Sequence, residues 1–90
     1  YYFKIPKETE DILKLKDITI PDSFKNSYPS KHKINQYTKY FNKYRCLDKP
    51  VSVEKGIVNG QEYIKLVDQY IRCLIFKKKG IKNIPVKYVK

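Results

Sequence analysis

The chain has 90 residues, of which 41% are hydrophobic and 14% aromatic, so it can build one small core. This composition excludes a disordered chain, although 32% of the residues are charged. No apolar run of about 18 residues is present, and the first residues lack the apolar stretch and cleavage site of a signal peptide. We therefore expect one soluble, cytoplasmic domain over residues 1–90, without a membrane segment.

The charge is strongly basic. Twenty Lys and Arg residues stand against nine Asp and Glu residues, which gives a formal net charge of +11. Between Lys77 and Lys90 there are six lysines and no acidic residue. A surface of this sign attracts the phosphates of nucleic acids, nucleotides or lipids. Lysines on a solvated face are also common without any ligand, so charge alone leaves contact with nucleic acid open.

Cysteine and histidine are too few for a metal motif. Cys46, Cys73 and His32 are the whole set, and no CxxC pair is present. The sequence therefore predicts no metal site. In a cytoplasmic setting a disulfide is not expected, and both cysteines are predicted to be small buried hydrophobic residues.

The first predicted elements are a strand region and a loop. Over residues 13–20 apolar and polar residues alternate, with a one-residue slip at Asp17. Two short strands or one bulged strand fit this pattern. Residues 21–30 are rich in Pro, Asp, Asn and Ser, which is typical of a loop.

An amphipathic helix is predicted next, over residues 31–44. Ser30 is a suitable N-cap for it. The helix has one apolar stripe, with residues spaced three, four and three apart, at Ile34, Tyr37, Phe41 and Tyr44.

The second half of the chain is predicted to form a hairpin, a helix and a strand. Asn59-Gly60 is a strong turn signal between strands at 51–55 and 62–67. A helix follows over 70–79, and Gly80 ends it. Residues 83–89 form the last strand, in which Pro85 indicates a strand start or an edge position. The order of elements predicts a small α+β domain with a mixed sheet and two main helices.

The start of the second helix is a candidate anion site. A strand ends at Val67-Asp68 and a helix begins directly after it, so the first N–H groups of the helix are free. Arg72 lies one turn into the helix and can donate two hydrogen bonds to a phosphate. A simpler alternative is that Asp68 caps the helix and pairs with Arg72, and that nothing binds there.

The stretch QYIRCLIFKKKGIKNIPVKYV, residues 69–89, resembles the signature of ParB N-terminal domains and sulfiredoxins. In that family a Gly, two variable residues and an Arg open a helix that ends near a Gly and leads into an IPV-type strand. Arg72, Gly80 and Ile84-Pro85-Val86 take those places here. With the upstream strand, loop and helix, the resemblance covers about residues 17–89. It implies a ParB/sulfiredoxin-like fold.

The resemblance also implies a site. It places phosphate or nucleotide binding at the start of the second helix and beside the start of the first. The residues concerned are Asp68, Gln69, Tyr70, Ile71 and Arg72, with Ser30 and Lys31. The implied ligand is a nucleoside triphosphate with Mg²⁺, although the residues themselves require no cofactor. On this basis Arg72→Ala is expected to abolish phosphate binding with little loss of fold.

Three departures from the family limit what the resemblance implies. The leading Gly of the signature is Gln69 here, and a side chain at that place calls for an unstrained backbone. The nucleophilic cysteine of sulfiredoxin falls at Tyr70 and its following histidine at Ile71, so sulfiredoxin chemistry is not expected. CTP-binding ParB proteins have two adjacent arginines, of which only Arg72 remains.

The sequence thus favours a ParB-like binding module that contacts phosphate, nucleotide or DNA. Contact with nucleic acid is expected through Lys77, Lys78, Lys79 and Lys82. An enzyme is less expected, because no nucleophile, base and orienting group come together. A nuclease or nucleotide-dependent phosphotransferase is the first alternative. A degenerate module that packs against a protein partner is the second.

Overall fold

The computed structural model describes residues 3–89 and contains one four-stranded sheet, two long helices and one short helix. Residues 1, 2 and 90 of the expected domain lie outside the described part. The elements are β1 (Asp11–Lys14), a 3₁₀ helix (Leu15–Asp17), α1 (Asp22–Asn26), α2 (Lys31–Tyr44), β2 (Val51–Val58), β3 (Gln61–Asp68), α3 (Tyr70–Lys78) and β4 (Asn83–Tyr88). This confirms the predicted α+β class.

The sheet is mixed, with the strand order β1-β4-β2-β3. Strands β2 and β3 form an antiparallel hairpin, while β4 pairs parallel to β2 and antiparallel to β1. The segment after the 3₁₀ helix adds one parallel bridge, from Thr19 to Lys65, at the outer side of β3. The region 13–20 thus holds the end of β1 and an isolated bridge rather than a second strand.

The position of Pro85 differs from the expectation of a strand start or an edge. It is the third residue of β4, which is an interior strand. In a strand successive N–H groups point to opposite sides, and the N–H of Val89 donates to the carbonyl of Val53 in β2 at 2.9 Å. The missing N–H of Pro85 therefore faces β2. Pairing with β2 begins one residue later, at Val86, so no ladder bond is lost.

The hairpin is longer than predicted, because both strands continue to the turn. Asn59 and Gly60 have φ values of 52° and 78°, and a type I′ turn requires positive φ at both central residues. Val58 lies opposite Gln61, directly beside this turn.

Helix α2 has the predicted bounds, and the hydroxyl of Ser30 accepts a hydrogen bond from the Lys33 N–H at 3.3 Å. Its apolar stripe is shorter than expected: Phe41 is fully buried, but Tyr44 is 48% exposed. Helix α1 lies within the predicted loop 21–30 and is a correction to it.

The core lies where α2 and α3 pack against the sheet. The rings of Phe41 and Phe76 meet edge to face with their centroids 5.3 Å apart. Val51, Val53, Leu66, Ile84 and Val86 of the sheet are buried with them. Because this contact holds the two helices side by side, the first turn of α3 lies next to α2. Between residues 3 and 89, none of the helices has both the length and the apolar character needed to cross a bilayer.

Candidate functional site

The chain turns sharply between β3 and α3. Gln69 joins the two elements in the left-handed conformation, with φ 74° and ψ 38°. This conformation costs a residue other than glycine about 1–2 kcal/mol, so the unstrained backbone that a side chain calls for at this place is not present at Gln69. The carboxylate of Asp68 accepts a hydrogen bond from the Gln69 N–H at 2.8 Å. Asp68 thus supports the turn and is not the partner of Arg72.

The guanidinium of Arg72 is buried, and each of its three nitrogens donates a hydrogen bond inside the protein. The residue is 5% exposed. Its Nε and Nη2 atoms donate to the two carboxylate oxygens of Asp48, at 2.7 and 2.6 Å. Its Nη1 donates to the side-chain oxygen of Gln69, and the group lies over the Tyr37 ring, 4.8 Å from its centroid. Asp48 holds the place on Arg72 that a phosphate would take.

The Asp48 carboxylate keeps its charge in this pair. Burial on its own raises the pKa of Asp48, but the hydrogen bonds and the charge of Arg72 outweigh it and hold that pKa below its ordinary value. The pair is therefore ionised and neutral overall at pH 7.

A cleft of about 270 Å³ lies in front of this pair, between α1, α2 and the start of α3. Its walls are formed by Phe24, Ser27, Pro29, Lys33, Tyr37, Asp68, Gln69, Tyr70, Ile71 and Arg72. Five of the seven residues predicted for the phosphate site, 68–72, thus line one cleft. Ser30 and Lys31 do not line it, and Lys33 contributes the basic side chain from α2 instead.

Three of the ten residues that line the cleft are aromatic. Phe24 and Tyr70 contact each other with their centroids 5.6 Å apart, and Tyr28 meets Tyr70 edge-on at 6.4 Å. Burial raises the pKa of Tyr70, so its hydroxyl is neutral at pH 7. The charged side chains that line the cleft are Lys33, Asp68 and Arg72, and Arg72 is paired with Asp48.

The thiols do not supply a nucleophile here. Burial raises the pKa of Cys73 to about 12, so this group is a neutral thiol at physiological pH. Cys46 donates its S–H to the carbonyl of Leu47, and burial also raises its pKa. In the stretch from residue 3 to 89, no cluster of three or more His, Cys, Asp or Glu side chains is arranged to hold a metal ion.

The four lysines predicted to contact nucleic acid lie at the end of α3 and just beyond it. Lys77, Lys78 and Lys82 are exposed. Lys79 is half-buried, because its Nζ donates to Asn42 of α2 and lies 5.7 Å from the centroid of the Phe41 ring. The predicted lysine surface is therefore continuous with the C-terminal half of α2.

Asp48 is the residue of this region that sequence reasoning missed. It is the only acidic residue between Asp22 and Glu54, and this isolation was a usable signal. A lone carboxylate in a long basic stretch is a natural partner for a buried arginine. Phe24 was also missed as a cleft residue, and Tyr37 was assigned only to the core stripe.

Comparisons with known proteins agree with this architecture. No family model matches the chain, and no curated protein matches it. Among solved structures, sulfiredoxin from Arabidopsis thaliana has a TM-score of 0.71 at 20% identity, over 89% of this chain and 83% of that one. One crystal form of a pNOB8-like ParB N-domain has a TM-score of 0.64 at 22% identity, over 87% of this chain and 28% of that one.

A second structure of the pNOB8-like ParB N-domain has a TM-score of 0.62 at 20% identity, over 87% of this chain and 26% of that one. The chain thus spans about a quarter of the length of the ParB chains that it matches. The likeness at these identities concerns the fold. With its mixed sheet and two packed helices, the chain has the ParB/sulfiredoxin-like fold.

Proposed function

We propose that this domain is a ParB-like binding module that contacts nucleic acid through its helices. The surface concerned, the helical lysine surface, consists of Lys31, Lys33, Lys39, Lys43, Lys77, Lys78 and Lys82. One observation carries the proposal: α2 and α3 contain no acidic residue. In the described part of the chain, none of these seven lysines takes part in an ion pair.

Three of the four lysines in the sheet strands are in a different situation. Lys55 lies 4.0 Å from Glu62, Lys65 lies 3.5 Å from Glu54, and Lys87 lies 3.6 Å from the N-terminal Glu8. Each of these contacts cancels charge locally. The net charge of +11 is therefore concentrated on the helices, and a surface of one sign attracts a polyanion.

This arrangement supports contact with phosphates rather than with base edges. Lysine is a mobile point charge that positions a protein on the backbone and carries little sequence information. We therefore expect weak sequence preference and a steep dependence of affinity on salt, since each neutralised phosphate releases counterions.

Two double variants with equal loss of charge test the proposal. Lys39→Gln with Lys43→Gln removes charge from α2, and Lys55→Gln with Lys65→Gln removes it from the sheet. Fluorescence anisotropy gives the affinity of each for a labelled oligothymidine of about 20 nucleotides and for a duplex of the same length. The titrations run from about 50 to 200 mM NaCl.

The α2 variant is expected to bind both probes more weakly. Its slope of log affinity against log salt should be less steep by about 1.4 for the single strand. The sheet variant should keep the wild-type slope. Equal slopes in the two variants would show that only overall charge matters, and no binding of either probe by the wild type would end the proposal.

A second candidate function is binding of a nucleotide in the cleft. It is favoured by the convergence of residues 68–72 with the Phe24, Tyr37 and Tyr70 rings, since aromatic walls suit a base. The charges do not fit a triphosphate with Mg²⁺. Among the residues that the structure describes, Lys33 is the only basic group lining the cleft outside an ion pair, and Asp68 lines the same space. A ligand of low charge fits better.

Thermal shift tests this second function with CTP, ATP, GTP, their nucleosides and inorganic phosphate, each with and without Mg²⁺. A ligand that binds only the folded state raises Tm. Lys33→Gln should remove such a shift, while Lys31→Gln, two residues away and outside the cleft, should keep it. The reverse pattern would support the site predicted from the sequence, and no shift with any ligand would leave the helical lysine surface as the functional feature.

A further inference from the structure

Tyr40 and Tyr44 form an exposed aromatic pair on α2 that the core does not use. They are 41% and 48% exposed, and their ring centroids lie 4.7 Å apart with the planes tilted by 49°. Tyr37, on the same helix, is instead half-buried under Arg72. A pair of this kind stabilises an isolated helix by only about 0.2–0.5 kcal/mol, so the fold gains little from its exposure.

A basic group lies beside the pair. The Nζ of Lys43 is 5.3 Å from the centroid of the Tyr44 ring. Lys39, next to Tyr40 in the chain, is also exposed, and the helix contains no acidic residue. Aromatic rings with cations at their sides are the arrangement on which unpaired bases stack while lysines hold the phosphates.

We infer that the nucleic acid bound by the helical lysine surface is single-stranded, and that its bases stack on Tyr40 and Tyr44. This inference rests on the proposed function and adds the class of partner. In a duplex the faces of the bases are covered by their neighbours, so only the lysines of this surface can contribute. A single strand offers its base faces as well as its phosphates, and this surface presents groups for both.

The experiment uses two double variants. The first carries both Tyr40→Leu and Tyr44→Leu, and its matched control carries both Tyr40→Phe and Tyr44→Phe. Leucine is a good helix former, so the helix is retained, and circular dichroism checks this. Anisotropy with the labelled oligothymidine and the duplex of equal length gives affinities and salt slopes, measured beside the Lys39→Gln/Lys43→Gln variant.

We expect the wild type to bind the single strand more tightly than the duplex. The Leu variant should lose about tenfold or more in affinity for the single strand, with unchanged affinity for the duplex and an unchanged salt slope, because stacking releases no counterions. The Phe variant should bind within about twofold of the wild type, since it keeps the rings.

The outcomes separate this inference from the proposed function. If the lysine variant loses affinity and slope while the Leu variant binds the single strand like the wild type, the helices bind nucleic acid but the tyrosines do not stack. Tighter binding of the duplex than of the single strand would likewise overturn the inference. If the wild type binds neither probe, both the inference and the proposed function are wrong.

Discussion

Arg72 and Asp48 form an ion pair with two hydrogen bonds, in which only the aspartate is partly exposed. The arginine side chain is 6% exposed and the aspartate side chain 33%. A half-closed pair of this kind adds little net stability compared with an apolar substitute, but it leaves a buried charge behind when one partner is removed. Arg72→Ala removes a buried side chain that contacts Asp48, Gln69 and Tyr37. It therefore threatens the fold more than the sequence suggested, and Lys33 is the cleaner probe of the cleft.

We expect Asp48→Asn to lower the free energy of unfolding by about 1–3 kcal/mol at pH 7, because Arg72 keeps its charge and loses the carboxylate. Urea denaturation measures this. Asp17→Asn, at an exposed position in the 3₁₀ helix, is the control and should change stability by less than about 0.5 kcal/mol. Equal effects of the two substitutions would show that the Arg72–Asp48 pair does not stabilise the fold.

The same pair predicts a pH dependence. The pKa of Asp48 is lower in the folded chain than its ordinary value of 3.8, so the unfolded state binds the proton more readily. The contribution of the pair is complete above about pH 4 and is lost as the pH falls through the folded pKa. The stability difference between the wild type and Asp48→Asn should thus shrink from pH 7 to about pH 3; a constant difference would contradict this assignment.

Gln69 gives a second prediction at this scale. Both Gln69→Gly and Gln69→Ala remove the hydrogen bond to Arg72, but only glycine adopts φ 74° without a steric penalty. The Gly variant should therefore be more stable than the Ala variant by about 1 kcal/mol in thermal denaturation. Equal stabilities would show that the turn relaxes when the amide is lost.

The sequence indicated where the candidate site lies, but it did not predict that Arg72 is paired with Asp48 there. The break before Tyr70 and the position of Arg72 were visible as a helix start with a basic group one turn in. The partner of Arg72 is 24 residues away in the chain, and only the packing of the Asp48 loop against α3 brings the two together. A sequence pattern that extends over a few residues does not predict a contact between residues 24 positions apart.

At the scale of elements, the ring of Tyr63 in the hairpin packs directly on Gly56. The two residues are paired across β2 and β3, and a Cβ at Gly56 would lie 2.5 Å from the Tyr63 hydroxyl oxygen. That hydroxyl donates to Glu54 at 3.2 Å. The ring thus covers the glycine and shields the strand backbone beneath it.

A double-mutant cycle tests this contact. Gly56→Ala should push the ring away and destabilise the wild type by about 1 kcal/mol, while in a Tyr63→Ala background the same change should have little effect or stabilise the strand. Chemical denaturation of the four proteins gives the coupling energy. Additive effects would mean that the ring moves aside without loss.

Helix α2 and the turn at Asn59 were predictable, because capping, periodicity and turn chemistry act within a few residues. Helix α1 was not, since its five residues begin with loop-forming Asp22 and Ser23 and it is fixed by the contact of Phe24 with Tyr70. The exposure of Tyr44 was missed for a related reason. The stripe of α2 continues at the correct spacing, but the partner surface ends at Phe41.

At the scale of the whole molecule, charge and size set the response to salt. The structure measures 42 × 28 × 22 Å, while the screening length is about 30 Å at 10 mM salt and about 8 Å at 150 mM. At low salt most of the net charge of +11 therefore acts across the molecule and repels itself.

We expect Tm to rise between about 10 and 150 mM NaCl, by about 4–8 °C if 1 kcal/mol of repulsion is screened. Nucleic-acid affinity should fall over the same range. Differential scanning calorimetry measures the first effect. A fall in Tm would show that the exposed ion pairs of the sheet outweigh the repulsion, contrary to the small stabilisation usual for such pairs.

The order of the strands in the sheet could not be predicted from the sequence. Residue patterns identified β2, β3 and β4. An apolar strand with a proline fits an edge position, but it also fits an interior position in which pairing on the proline's side begins one residue after the proline, as in β4. The choice depends on where β1 and β2 lie in space, and neither strand is adjacent to β4 in the chain.

The interior position of β4 has a consequence for how the protein is made. Within residues 3–89, β4 is the only strand that pairs with β1, and it is the last described strand to leave the ribosome. Until residues 83–88 emerge, the β2–β3 hairpin can form alone, but β1 has no partner and the side of β2 at Val51 and Val53 stays open. We therefore expect cotranslational folding to pass through a half-built sheet in which this edge of β2 is uncovered, a state open to chaperones or to aggregation.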